Sequence, residues 1–167
     1  MILLKNVLVA TDFSEGSDAA LTYGRALARN FGATLHVLHV ADDLSTRAAG
    51  AGEYLMDYAD AQREIEDGAR QRIDALLSEE DRRLCGAKGV VVRSGTPAWA
   101  IVEYAKNGGI DLIVLGTHGR SGFSHLMMGS IAEHVVRSAS CPVLAVKHPE
   151  HEFVVTEPVQ IQAATSS

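Results

Sequence analysis

Residues 6–40 read NVLVATDFSEGSDAALTYGRALARNFGATLHVLHV, and this stretch decides the fold class. Asn6 to Thr11 is a short, mostly apolar run that stops at Asp12, the pattern of a strand buried on both faces. Ser14 or Ser17 can cap the helix that follows, in which Ala20, Tyr23, Leu27 and Phe31 recur every three or four residues. Gly32 ends that helix, and a second apolar run, Thr34 to Val40, follows at once. Strand, helix and strand with connections this short make a parallel βαβ unit.

The alternation continues downstream. After a Gly- and Ala-containing loop at Arg47–Gly52, Glu53 to about Ser78 reads as a long charged helix with Gly68 in its middle. Gly89–Arg93 is a third strand, and Thr96-Pro97 opens a helix that runs to Asn107 before Gly108-Gly109. Ile110–Leu115 is a fourth strand, Ser130–Ala139 a fourth helix and Pro142–Val146 a fifth strand. Five strands alternating with four helices predict an α/β fold, an open five-stranded parallel sheet with helices on both faces. No internal repeat is evident, so residues 1–147 are expected to form one domain. Beyond it, 148–167 reads as a tail in which Phe153–Val155 could add a short edge strand before a disordered end.

Composition narrows the class. A chain of 167 residues fits one domain, and 47% apolar content is enough for a sizeable core. No apolar run is long enough to span a bilayer, and the N-terminal residues lack the order of charge and apolar region of a signal peptide, so a cytoplasmic protein is expected. The formal charge of −6 makes the surface a poor match for nucleic-acid phosphates. Backbone N–H groups can still hold a small anion locally. Cys85 and Cys141 lie far apart outside any ligand pattern, which argues against a disulfide framework or a structural zinc site.

In open parallel sheets ligands bind beyond the C-terminal strand ends. Ala10-Thr11-Asp12, Val40 and Gly116 stand at three such ends. The third begins the run Gly116-Thr117-His118-Gly119-Arg120-Ser121-Gly122-Phe123-Ser124-His125-Leu126-Met127-Met128-Gly129-Ser130. Gly116 and Gly119 let the chain turn and bring bare backbone close to a ligand. Gly129-Ser130 stands where a helix begins, and the first N–H groups there, including that of Ile131, favour phosphate. His118 and Arg120 could neutralise further charge. The alternative is purely structural: Ser130 and Glu133 have the spacing of a capping box. A connection of this length in a compact domain is usually functional.

The spacing of the run, Gly, two residues, Gly, nine residues, Gly-Ser, resembles the loop of the ATP-binding branch of the universal stress protein family. Gly116, Gly119, Gly129 and Ser130 fill all four positions. The resemblance extends over residues 5–147, from the start at Val7–Ser14 to Ser140–Val146 at the end. It implies an adenine-nucleotide α-hydrolase-like fold with strand order 3-2-1-4-5. It also implies that Asp12 meets the ribose or a phosphate-bound Mg2+, that the Val40 backbone contacts adenine, and that Gly116, Gly119, Gly129 and Ser130 wrap the phosphates of ATP or another adenine nucleotide. A homodimer through Val143, Leu144, Ala145 and Val146 is implied as well, which would cover an apolar edge strand.

Other residues attract simpler readings. His36 and His39 point to opposite faces of a strand and cannot share an ion, so packing is expected. Trp99 reads as a core anchor, Met127-Met128 as packing residues, Cys141 as a small buried residue, and Glu64–Arg83 as a solvated helix face. His148 and His151 are expected to be solvated.

Three function classes remain. They are a nucleotide-responsive stress or signalling module, a slow Mg2+-dependent ATPase, and an interaction protein that binds no nucleotide. No GxxxxGK[ST], HxGH or SGGxDS motif appears, and Asp12 suits magnesium better than general-base work. The nucleotide module is therefore the leading expectation, and efficient catalysis is not expected.

Overall fold

The computed structural model describes residues 1–46, 55–118 and 128–148. Within them β1 (Asn6–Ala10) leads through α1 (Glu15–Phe31) into β2 (Thr34–Ala41), a 3-10 turn at Leu44–Thr46 and α2 (Leu55–Leu76). There follow α3 (Glu79–Cys85), β3 (Lys88–Arg93), α4 (Pro97–Asn107), β4 (Leu112–Gly116), α5 (Ser130–Ser138) and β5 (Val143–Val146). All neighbouring strands are parallel and their order is β3-β2-β1-β4-β5, as expected. The order reverses between β1 and β4, which opens a crevice beyond their C-terminal ends.

Two apolar layers flank the sheet because side chains alternate along each strand. Val7, Val9, Leu35, Val37 and Val114 pack beneath α1 and α2 with Ala20, Leu21, Ile73 and Leu77. Leu8, Leu38, Ile113 and Leu115 face α4 and α5 with Ile101, Ala105, Ala132 and Val135. The α1 helix lies close on the sheet because a Cβ at Gly24 would stand 2.2 Å from Val9 Cγ2. Its cap is Ser14, with Ser17 closing the box, and Gly32 adopts the left-handed φ of 63° that stops it.

α3 was not anticipated as a separate helix. Ser78 does not end the long helix but caps α3, whose Asp81 returns the bond: Asp81 N–H to Ser78 Oγ is 3.0 Å, and Ser78 N–H to Asp81 Oδ2 is 3.1 Å. Asp81 also corrects the expectation of a solvated face, because it is fully buried. Arg25 Nε lies 2.9 Å and Arg29 Nη2 3.0 Å from its two oxygens, joining α1 to α3. Arg25 further donates to the Leu76 carbonyl. A buried carboxylate is tolerable when its lone pairs are met in this way.

His36 and His39 do diverge. His36 faces α4 with Nδ1 2.8 Å from the Tyr104 hydroxyl, while His39 faces the other layer, its ring 4.4 Å from that of Phe13. Burial, helped by Lys88, pushes the His36 pKa below its ordinary value. The unfolded chain binds that proton near pH 6.5 and the folded chain resists it, so stability is expected to fall as pH drops below about 6.5 and to level off below the depressed folded pKa. Urea midpoints between pH 7 and 5 test this. The decline should be shallower in His36→Gln, and an identical decline would remove His36 as its source.

Two apolar expectations are corrected. Trp99 is 56% exposed, because Ala100, Ile101 and Ala105 form the buried side of α4 and Trp99 lies off it. Met128 is 39% exposed, and Met127 lies outside the described residues. Cys141 is half-buried, and burial pushes its thiol pKa up, as suits an unreactive residue. His148 is exposed and 4.0 Å from Glu15, while His151 and Phe153–Val155 lie outside the described residues. Among the described residues no helix is long and apolar enough to cross a membrane.

Candidate functional site

A cleft of about 900 Å³ opens at the C-terminal ends of β1, β2 and β4. It is lined by Ala10, Thr11, Asp12, Val40, Gly116, His118, Gly129, Ser130 and Ile131. These are all the predicted site residues within the described part of the chain. Gly119 and Arg120 lie outside it.

The first wall is the turn after β1. Thr11 N–H donates to Leu38 O at 2.9 Å, which carries the sheet register one residue beyond the strand. Its hydroxyl accepts from Phe13 N–H at 3.0 Å and lies 3.1 Å from Ser17 Oγ. Asp12 Oδ1 accepts from Ser14 N–H at 3.1 Å and from Ser14 Oγ at 2.5 Å. Phe13 is left at φ 62°, a conformation that bulky residues rarely adopt. Such outliers persist where the surroundings over-determine them and cluster at ligand sites.

The second wall joins the end of β4 to the start of α5. Thr117 N–H donates to Val146 O at 2.8 Å, and Gly129 N–H to Thr117 O at 2.7 Å. The first extends the β4–β5 pairing past the strand, and the second brings the start of α5 back beside the end of β4. Gly129, not Ser130, is the N-cap, and among the described residues no side chain caps the helix. The capping-box reading of Ser130 and Glu133 is thus corrected: Ser130 is already helical, and Glu133 pairs with Arg137 at 2.8 Å. The first N–H groups of α5 have no acceptor within the helix, and Ser130, Ile131 and Ala132 line the cleft. His118 Nδ1 lies 3.0 Å from Thr117 Oγ1, while its buried Nε2 has no hydrogen-bond partner among the described residues.

Gly116 proves to have a structural reason as well. A Cβ there would stand 2.8 Å from Gly16 O, and one at Gly16 would stand 2.7 Å from His118 O. The two walls therefore touch backbone to backbone. Sequence reasoning missed Gly16, and it missed a third wall on α2, where Ile65, Gly68, Ala69 and Arg72 face the cleft. Their spacing of three to four residues carried the signal, but the charge of the helix masked it.

The model of the Universal stress protein family matches residues 4–147. The chain is 31% identical over 161 residues to Universal stress protein MJ0531 of Methanocaldococcus jannaschii, covering 90% of this chain and 86% of that one. Its fold superposes on the solved structure of the hypothetical protein MJ0577 with a TM-score of 0.73 at 24% identity, covering 90% of this chain and all of that one. It superposes on a universal stress protein in complex with cAMP with a TM-score of 0.56 at 25% identity, covering 87% of this chain and 98% of that one. With fold, strand order and matched length in agreement, the chain belongs to the universal stress protein family.

Proposed function

We propose that the cleft binds an adenine nucleotide, ATP in the first instance, and that the protein acts as a nucleotide-responsive stress or signalling module. The observation that carries this reading is the meeting of four separate segments, 10–12, 40, 116–118 and 129–131, around one cleft at the point where the strand order reverses. An uncapped helix start favours phosphate through its N–H groups and dipole. His118 Nε2, which has no hydrogen-bond partner among the described residues, is a polar group for which a ligand would account. Apolar contacts from Leu38, Val40, Ile101 and Leu115 suit a base. The family relative in complex with cAMP supports an adenine ligand.

Gly116, Gly129 and Ser130 would hold the phosphates, with Gly119 and Arg120 joining them by motif. Val40 would meet adenine. Among the described residues no group of three His, Cys, Asp or Glu side chains could hold a metal by itself. Mg2+ would therefore arrive with the phosphates, and Asp12 offers the hard carboxylate oxygen such an ion takes. The outer edge of β5, Val143–Val146, pairs with no strand among the described residues, and we assign the homodimer contact to it.

The test is mass spectrometry of small molecules released from gently purified protein, followed by calorimetry with ATP with and without Mg2+. Stoichiometric adenine nucleotide or micromolar binding is expected. Asp12→Ala should weaken binding with Mg2+ about tenfold and leave metal-free binding nearly unchanged, in line with about 1.4 kcal/mol for one lost contact. Absence of both bound nucleotide and titratable binding would overturn the reading in favour of an interaction protein.

A further inference from the structure

The cleft continues past the proposed nucleotide face into a lobe lined by α2. Alternation along β2 sends Val40 toward α4, while His39 turns toward α1 and α2 beside Phe13. In this lobe Phe13, His39, Ile65, Ala69 and Arg72 line the space, and a Cβ at Gly68 would touch nothing among the described residues. Glu64, two helical turns from Arg72, lies on the same wall.

Arg72 is unlike the other arginines of α2. Arg63 pairs with Asp60, and Arg70 with Glu66 and Asp67. The helix neighbours of Arg72 at three and four residues are Gly68, Ala69, Ala75 and Leu76, none of them acidic. Among the described residues no carboxylate lies within ion-pair distance of it. Its guanidinium rests instead over the Phe13 ring, 3.9 Å from the centroid. A stacked guanidinium keeps its N–H fork in its own plane, free to take two oxygens of an anion. Phe13 is itself held in the left-handed conformation next to Asp12, so the stack is placed by the same turn that forms the first wall of the nucleotide site.

Resting on the nucleotide reading above, we propose that Arg72, positioned by Phe13, is a second anion contact of the cleft. It selects adenine nucleotides that carry a phosphate on a ribose hydroxyl as well as at the 5′ position. Phe13 follows Asp12 in the turn after β1 and seats the guanidinium on the α2 wall of the cleft, a different wall from the one that presents the α5 N-terminus. A phosphate on the 2′ or 3′ oxygen offers the pair of oxygens that a guanidinium fork takes. The 5′ phosphate remains with Gly129 and Ser130.

Calorimetry on the full chain with AMP, adenosine 2′,5′-bisphosphate and adenosine 3′,5′-bisphosphate tests this. One of the bisphosphates is expected to bind at least tenfold tighter than AMP, the range of a charged hydrogen-bonded contact. Arg72→Gln should abolish that advantage, bringing the affinities of AMP and the preferred bisphosphate level in the same variant. Phe13→Leu should reduce the advantage through loss of the stack. Equal affinities of AMP and both bisphosphates for the native protein would overturn the proposal while leaving the nucleotide site standing. So would an advantage that persists in Arg72→Gln. Failure of all three nucleotides and of ATP to bind would overturn both.

Discussion

Gly116→Ala is expected to cost about 1–3 kcal/mol of stability and to weaken nucleotide binding more than a hundredfold, whereas Gly119→Val should abolish binding with no change in unfolding. The difference lies in what each missing side chain makes room for. A Cβ at Gly116 would meet the Gly16 carbonyl oxygen at 2.8 Å and its carbon at 2.9 Å. Both are backbone atoms at the start of α1, which cannot swing away as a side chain would. The first and second walls would have to part, and the uncapped start of α5, tied to Thr117 by the Gly129 bond, would move with them. Gly119 enters only through the spacing of the motif, and under the proposed nucleotide reading a side chain there would occupy phosphate space. Urea unfolding and calorimetry on the two variants separate the roles. Unaltered stability in Gly116→Ala would show that the turn can yield. Native-like ATP affinity in Gly119→Val would remove that residue from the site.

Asp81→Ala should lower stability by about 2–3 kcal/mol. The carboxylate is fully buried, caps its own helix and pairs with two arginines from α1. Removing it takes one partner from each guanidinium, leaving Arg25 with the Leu76 carbonyl and Arg29 with Glu80, and strands the Ser78 N–H. The arginine side chains are 27% and 35% exposed, so water recovers part of the loss and the figure falls below that for a fully buried pair. Burial alone would raise the Asp81 pKa. The Ser78 bonds, Arg25 and Arg29 outweigh it and hold the carboxyl below the usual carboxylate range. A depressed carboxylate contributes stability that is present above the unfolded pKa of about 4 and lost as pH falls through the folded one. The difference between native protein and Asp81→Ala should therefore be full at pH 7 and shrink below about pH 4. A difference below 1 kcal/mol at pH 7 would mean that the clamp is replaceable.

The sequence alone determined the sheet. Val7–Val9 and Ile113–Leu115 are continuously apolar, and Leu35–Val40 is broken only by His36 and His39, which suits the middle of a doubly covered parallel sheet. The short connections then leave little freedom in handedness. Resemblance supplied the strand order. The same reading named the strand ends and the start of α5 as the site, because parallel topology puts every strand end, and with it every helix start, on one edge. Local sequence could not show which polar residues the packing would trap. Asp81 sits in a charged run that reads as solvent-facing, and only the approach of α1 brings Arg25 and Arg29 to it. Likewise Ser130 and Glu133 have capping-box spacing, but the bond from Gly129 to Thr117 accompanies a helix start one residue earlier, with the first turn of α5 lining the cleft. Periodicity fixes which face of an element is apolar. The distances between elements, set by glycine contacts such as Gly16 with Gly116 and by the seat of Arg72 on Phe13, exist only once the chain has closed on itself.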